Sequence, residues 1–328
     1  MTIQIRLMQE ADAPKVVELY RAVYGEAYPV QSVYDPSAII ASQQAGEFYR
    51  VLAVREDKVV GQTAVYRSGP PNPNLYEEGQ GIVLSECRNQ GILEQVMRYA
   101  HDTVYPENGL TQLWGEAVCN HVFMQKAGVK LNYVYTGIEI DLMPAAAYEK
   151  EKSSAARVSS LVGFKVADTA TQQIHLPVVY GKTIPWLYQP LDLPRQFITG
   201  NTALPHEKST QATEQIYTSA GVARFTFMTL GQDFEATLQS KEKAAADQEC
   251  TVLQAYLNLT DPAAGAALEI LRAHRYFLGG ILPCWYGQDG ILMQKILHAP
   301  NIEGIQIYGE RGKQILDMVL EDRKGISG

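Results

Sequence analysis

Polar and apolar residues alternate over residues 3–8, and apolar residues then return at helical spacing at Val16, Val17, Leu19, Tyr20 and Val23. Asp12 stands where an N-cap is needed, so strand followed by helix is the expected opening. Asp35-Pro36 starts a second helix, and two β-rich runs at 49–55 and 59–67 follow, joined at Glu56-Asp57-Lys58 as in a hairpin. A turn-rich stretch at 69–74 separates them from another strand pattern at 76–84. After Arg88-Asn89-Gln90-Gly91 the period becomes helical, with Ile92, Leu93, Val96, Met97 and Ala100 on one face. A strand at 110–118, a helix at 121–131 and a strand at 135–142 complete the order β-α-α-β-β-β-α-β-α-β.

Core-forming residues thin out over 145–154, where Ala, Glu, Lys and Ser dominate, and a linker is expected there between domains at 1–145 and 155–328. The second part offers strands at 160–166 and 174–179, a helix-like stretch at 184–193 and a polar segment at 200–213. Its last third is clearer: strand 223–230, helix 234–247, strand 252–259, helix 262–274, and strands 276–282 and 290–296. That order repeats the later portion of the first part, which points to an α/β chain built by tandem duplication.

A chain of 328 residues exceeds the usual single core, in keeping with two domains. No stretch approaches the roughly 18 apolar residues of a membrane span, and the first seven residues lack a signal-peptide core. The balance of 28 basic against 36 acidic residues, a net charge of −8, argues against nucleic acid or anionic membrane as partner. Four cysteines without a Cys-x-x-Cys pair argue against a zinc knuckle and against a disulfide framework, and no metal is expected. Cytoplasmic location is the expectation.

The chemistry concentrates at Val83-Leu84-Ser85-Glu86-Cys87-Arg88-Asn89-Gln90-Gly91-Ile92-Leu93, where a strand feeds a helix. Amides of the first helical turn have no intrahelical acceptor, and the helix dipole adds positive potential, so such a corner attracts a pyrophosphate. Gly91 lets backbone approach the anion closely, and Arg88 adds a donor fork.

These residues resemble the GNAT N-acetyltransferase superfamily, whose signature Arg/Gln-x-x-Gly-x-Gly/Ala follows its fourth strand. Arg88 and Gly91 match, while Leu93 stands where the signature has Gly or Ala. In element order the resemblance spans residues 1–143. It implies two GNAT-like domains, each a central mixed, mostly antiparallel sheet flanked by helices, the second degenerate because Gly231-Gln232-Asp233-Phe234 lacks the arginine. It also implies an acyl-CoA co-substrate, with acetyl-CoA the expected form. Val83, Leu84 and Ser85 would pair with pantetheine, and Arg88, Asn89, Gln90, Gly91, Ile92 and Leu93 would hold the diphosphate. The implied partner is an amine of a small molecule or peptide, and the implied assembly a homodimer.

Acyl transfer to an amine needs a base and an acid. Glu116 is a candidate base because its strand is otherwise apolar and burial would raise its pKa; facing solvent, it would be an ordinary strand carboxylate. Glu77 and Glu78 are alternatives, of which at most one can face a site. His121, at the expected start of a helix, could serve as base or oxyanion donor. The tyrosine that related enzymes use as acid falls on Gly128 or Met124, leaving Tyr133, Tyr135 or solvent to protonate the thiolate. Cys119 reads as a small buried residue. The cluster Tyr276, Phe277, Trp285 and Tyr286 suits core or an acceptor pocket. The missing tyrosine and Leu93 also suit a second reading, a catalytically inactive acyl-CoA sensor or scaffold. A Rossmann dinucleotide site is excluded by the glycine spacing.

Overall fold

The computed structural model describes residues 3–326 except 27, 29, 149–153, 169 and 201. Backbone contacts divide the chain into two compact units, Met1–Gly115 and Glu116–Gly328.

In the first unit, β1 (Gln4–Leu7) leads to α1 (Ala13–Tyr24) and α2 (Pro36–Gln44), followed by β2 (Phe48–Arg55), β3 (Lys58–Arg67) and β4 (Leu75–Val83). Then come α3 (Ile92–Tyr99), a π turn (Ala100–Val104), α4 (Tyr105–Glu107) and β5 (Gln112–Val118), which runs on into the second unit. The strand order is β1-β2-β3-β4-β5. All pairs are antiparallel except β4 with β5, which is parallel and so needs the helical crossover. The helical periods are the ones the sequence carries: Val16, Val17, Leu19 and Tyr20 of α1, and Ile92, Val96 and Met97 of α3, are buried. Each such burial contributes roughly 1.5–3 kcal/mol.

The second unit adds α5 (Phe123–Lys130), β6 (Val134–Met143), β7 (Val158–Val166), β8 (Gln172–Leu176), α6 (Thr183–Tyr188), β9 (Arg195–Thr199), β10 (Gln211–Tyr217) and β11 (Val222–Thr229). It continues with α7 (Phe234–Asp247), β12 (Val252–Asn258), α8 (Ala264–Ala273), β13 (Phe277–Leu282), β14 (Gly290–Ile296) and α9 (Glu310–Gly325). Its strand order is β5-β7-β6-β13-β14-β12-β11-β10; from β7 to β10 the pairs are antiparallel except for β11 with β12, and β8 and β9 form a separate parallel pair. Both units are therefore α/β with mixed, mostly antiparallel sheets flanked by helices. β4-β5-β7-β6 and β11-β12-β14-β13 share strand order, with β4–β5 and β11–β12 both parallel and β6–β7 and β13–β14 both antiparallel. Of the expected linker, residues 149–153 lie outside the described residues; β6 and β7, which flank it, pair from Val134↔Phe164 to Met143↔Val158.

Three elements go beyond the sequence expectation. β9 and β10 fall on polar, largely exposed residues with no apolar alternation, and α9 buries only Gly312, Ile315 and Val319 of its sixteen residues. The helix expected over 184–193 ends at Tyr188, where Pro190 converts the rest to a 3-10 turn. Tyr276, Phe277 and Trp285 are core residues of the second unit, with Trp285 stacked on Tyr256 at 5.3 Å. At the β6–β13 crossing a Cβ on Gly280 would lie 2.3 Å from the Gly137 Cα, so both positions exclude side chains.

Candidate active site

Neighbouring residues of a strand face opposite ways, and the sheet separates Glu77 from Glu78. Glu77 is the cross-strand partner of Tyr66, which in turn opposes Phe48. The Phe48 and Tyr66 rings stack at 4.7 Å, and the Tyr66 hydroxyl donates to Glu77 Oε1 at 2.6 Å. This face looks toward α1, since Gln62, two and four residues from Ala64 and Tyr66 on β3, donates to the Tyr20 hydroxyl at 2.9 Å. Glu77 is half-buried there. Glu78 opposes Val65 and points the other way. The Tyr105 hydroxyl donates to its Oε1 at 2.7 Å and His101 Nε2 lies 3.0 Å from its Oε2, with all three side chains buried. A carboxylate enclosed in this way anchors the helix to the sheet. His101 and Tyr105 were not singled out from the sequence, although their spacing of four residues on one helix is a readable signal.

β4 also carries a bulge. Between Gln62↔Ile82 and Ala64↔Gly79 it holds one more residue than β3, and Gln80 takes a left-handed φ of +52° to accommodate it. Gln80 Oε1 accepts from the Tyr20 hydroxyl at 2.5 Å, which ties the bulge to α1. The parallel ladder with β5 begins at Leu75↔Gln112 and ends at Glu77↔Trp114. Just past that last rung the Glu78 carbonyl oxygen lies 2.9 Å from where a Cβ of residue 115 would stand, a place only glycine fits. β4 then runs on to Val83 without a further β5 partner among the described residues. Glu77 thus sits at the apex where the ladder stops.

From Val83 the chain passes through a 3-10 turn, Ser85–Cys87, into an exposed corner of Arg88, Asn89, Gln90 and Gly91. Asn89 and Gly91 are left-handed at φ +62° and +71°. Backbone that alternates in hand turns successive N–H groups to one side and makes an anion cradle. Gly91 is the N-cap of α3, and the first helical bond there runs from Gln95 N–H to the Gly91 carbonyl at 3.1 Å. The amides of Gly91, Ile92 and Leu93 therefore lie ahead of the hydrogen-bonded turns. A Cβ at Gly91 would meet only Gln95 Nε2, at 3.8 Å, so the corner is open. Arg88 Nε reaches the Val83 carbonyl at 3.4 Å, Arg55 reaches Cys87 Sγ at 2.7 Å, and Lys58 lies 3.6 Å from Glu86. Arg98, on α3, pairs with Glu94 at 3.1 Å. The residues present fit a diphosphate: exposed amides at a helix start and a guanidinium.

The remaining candidates belong to the second unit. Glu116 pairs with Arg224 at 3.3 Å, and the same guanidinium nitrogen reaches Glu139 at 3.4 Å. Gln254 donates to Glu139 Oε1 at 2.7 Å and accepts from Arg224 Nε at 2.8 Å. Burial first, and the Glu116 charge second, push the Glu139 carboxyl well above its ordinary value. Glu139 was not singled out from the sequence, although Ile138 and Ile140 on either side of it give the same signal that marked Glu116. A group with a raised folded pKa adds stability that is fully present below its unfolded value and is lost as pH rises through the folded one. The urea midpoint of the wild type is therefore expected to fall as pH rises from the ordinary carboxyl value of 4.5, and Glu139→Gln to flatten that fall; an unchanged slope would contradict the assignment.

His121 lies two residues before α5 and not at the helix start that the sequence suggested, with its ring 5.1 Å from that of Phe123. Tyr133 is buried just after α5, its amide on the Gly128 carbonyl at 2.9 Å. The hydroxyl of Tyr135 stands 2.7 Å from where a Gly128 Cβ would be and donates to the Gln125 carbonyl at 3.1 Å. Burial raises its pKa. Met124 is half-buried against the core. Cys119 is buried, its thiol pushed up to about 12 by burial, and is not poised as a nucleophile.

The corner where β11 feeds α7 is closed. β11 and β12 pair over six residues, a Cβ at Gly231 would lie 2.3 Å from the Lys208 carbonyl oxygen, and the Asp233 carboxylate, at the helix start, accepts from the Thr210 amide at 2.7 Å. Among the described residues no helix is long and apolar enough to cross a membrane, and no group of three His, Cys, Asp or Glu residues is placed to hold a metal ion.

No family model matches the chain, and no curated protein matches it. Among solved structures the chain is similar to several N-acetyltransferases, each over about half its length. The ribosomal-protein-S5-alanine acetyltransferase of Vibrio fischeri shows 14% identity and a TM-score of 0.41 over 51% of this chain and 94% of its own. The ribosomal-protein-alanine N-acetyltransferase of Brucella melitensis shows 18% identity and a TM-score of 0.40 over 50% and 99%. For the ribosomal-protein-S18-alanine N-acetyltransferase of Escherichia coli the values are 12%, 0.39, 51% and 96%.

Proposed function

We propose that the chain is an acyl-CoA-dependent N-acyltransferase, with acetyl-CoA as co-substrate and an amine of a small molecule or peptide as acceptor. The observation that supports this best is the open corner at residues 88–93, continuous with the stretch of β4 that has left its parallel partner. Amides of Gly91, Ile92 and Leu93, with Arg88, would hold the diphosphate, and the edge at Val83, Leu84 and Ser85 would receive pantetheine by strand-like pairing. Bound acyl-CoA supplies a thioester. Glu77, at the apex and facing α1, takes the proton of the attacking amine, with Tyr66 orienting its carboxylate. Nitrogen bonds to the acyl carbon, the C–S bond breaks, and the thiolate takes a proton from solvent. The part over 1–145 is read as the catalytic half, and 155–328 as its degenerate repeat.

Calorimetric titration with acetyl-CoA and longer acyl-CoAs, followed by thiol release with a panel of amines, tests the reading. Binding together with thiol release for at least one amine is expected. Binding with no release for any amine would favour a sensor, and absence of binding would overturn the proposal.

A further inference from the structure

We propose that the acceptor amine also bears a carboxylate, and that Arg50 receives it. This deepens the acyltransferase reading and rests on it.

Arg50 lies on β2 and is only 3% exposed. Its guanidinium packs 4.3 Å over the Phe48 ring, and Nη1 reaches the Ser42 hydroxyl at 3.4 Å. Nε is buried without an acceptor among the described residues, and the groups that act on its charge are burial and Tyr20, with no carboxylate among them. A buried acid can escape its charge by taking up a proton, whereas a guanidinium stays charged at any physiological pH. A cation enclosed without a counter-charge is costly, and an anionic ligand is the partner that would resolve it.

The register shows where that ligand would lie. On one face of the sheet stand three rows: Phe48, Tyr66 and Glu77; Arg50, Ala64 and Gly79; Leu52, Gln62 and Ile82. Between the cation of β2 and the acid of β4 the strands carry Ala64 and Gly79, and the Tyr66 hydroxyl and Glu77 Oε1 stand over Gly79, 2.8 and 3.4 Å from where a Cβ would lie, so a ligand that joins the two ends passes over Tyr66. Gln62 Oε1, on the same face, is buried and has no donor among the described residues. Above them Tyr20 is joined by the half-buried rings of Tyr28 and Tyr34, at centroid distances of 5.0 and 6.4 Å. One end of this surface is a cation without an anion and the other is the acid assigned to deprotonate an amine. A molecule with a carboxylate at one end and an amine at the other satisfies both. β2 and β4 lie two strands apart, about 10 Å, so several bonds separate the two groups.

The test uses the full chain. Calorimetric titration, with and without CoA, compares glycine, β-alanine, 4-aminobutanoate and glutamate with their carboxamides, and thiol release is followed for the same set. Wild type is expected to bind and acylate at least one of the acids and to bind its amide at least about tenfold more weakly. Arg50→Met is expected to melt no lower than wild type, since an unpaired buried charge is gone, while KM for the acid rises about 100-fold and kcat falls far less. If Arg50→Met does not fold, Arg50→Lys, which keeps the charge and loses the fork, is expected to show the same rise in KM. Equal handling of acids and amides, or an unchanged KM in the variant that folds, would overturn the proposal. Absence of acetyl-CoA binding by the wild type would instead count against the acyltransferase reading, because the corner shares no residue with Arg50.

Discussion

Arg88→Glu is expected to weaken acetyl-CoA binding by about 100-fold. A charge-assisted hydrogen bond to phosphate contributes about 1.5–3 kcal/mol, and reversal of the charge adds repulsion to its loss. Arg88 is exposed in the corner, so the change costs little stability and the effect reads out as affinity. Screening gives a further signature: wild-type affinity should fall with added salt, and that of Arg88→Glu should fall less or rise. Calorimetry at two ionic strengths checks both. Equal affinities in wild type and variant would remove the corner from the binding site.

Glu77→Gln is expected to lower kcat by about 100- to 10,000-fold with acetyl-CoA affinity unchanged, because a positioned base contributes factors of that size. The substitution keeps the shape and the hydrogen bond from Tyr66, and removes only the capacity to take a proton. Steady-state kinetics with an acceptor that releases thiol would measure it. A kcat within a few-fold of wild type would move the base elsewhere, with Glu116 the next candidate to substitute.

The corner was legible in the sequence for a physical reason: the apolar period changes from two to helical across residues 84–92, and a glycine and an arginine stand at the change. Strand alternation also placed Glu77 and Glu78 on opposite faces, but which face lies under α3 depends on the pairing of β4 with β3, and alternation alone does not fix that. The burial of Arg50 was hidden for a related reason. β2 is buried on both faces, so its pattern carries no parity from which an inward arginine could be told from an outward one. β9, β10 and α9 escaped notice because tertiary packing, and not apolar periodicity, determines them. The Glu116–Arg224–Glu139 cluster joins residues more than eighty positions apart, beyond what any local motif records.

The most direct test is the backbone amide resonance of Gly91, followed with those of Ile92 and Leu93 during titration with acetyl-CoA. These three signals are expected to shift together, saturate with the calorimetric affinity, and need about 100-fold more acetyl-CoA to shift in Arg88→Glu. Thiol release in a protein whose Gly91, Ile92 and Leu93 amides never move would contradict the assignment of the corner as the diphosphate site.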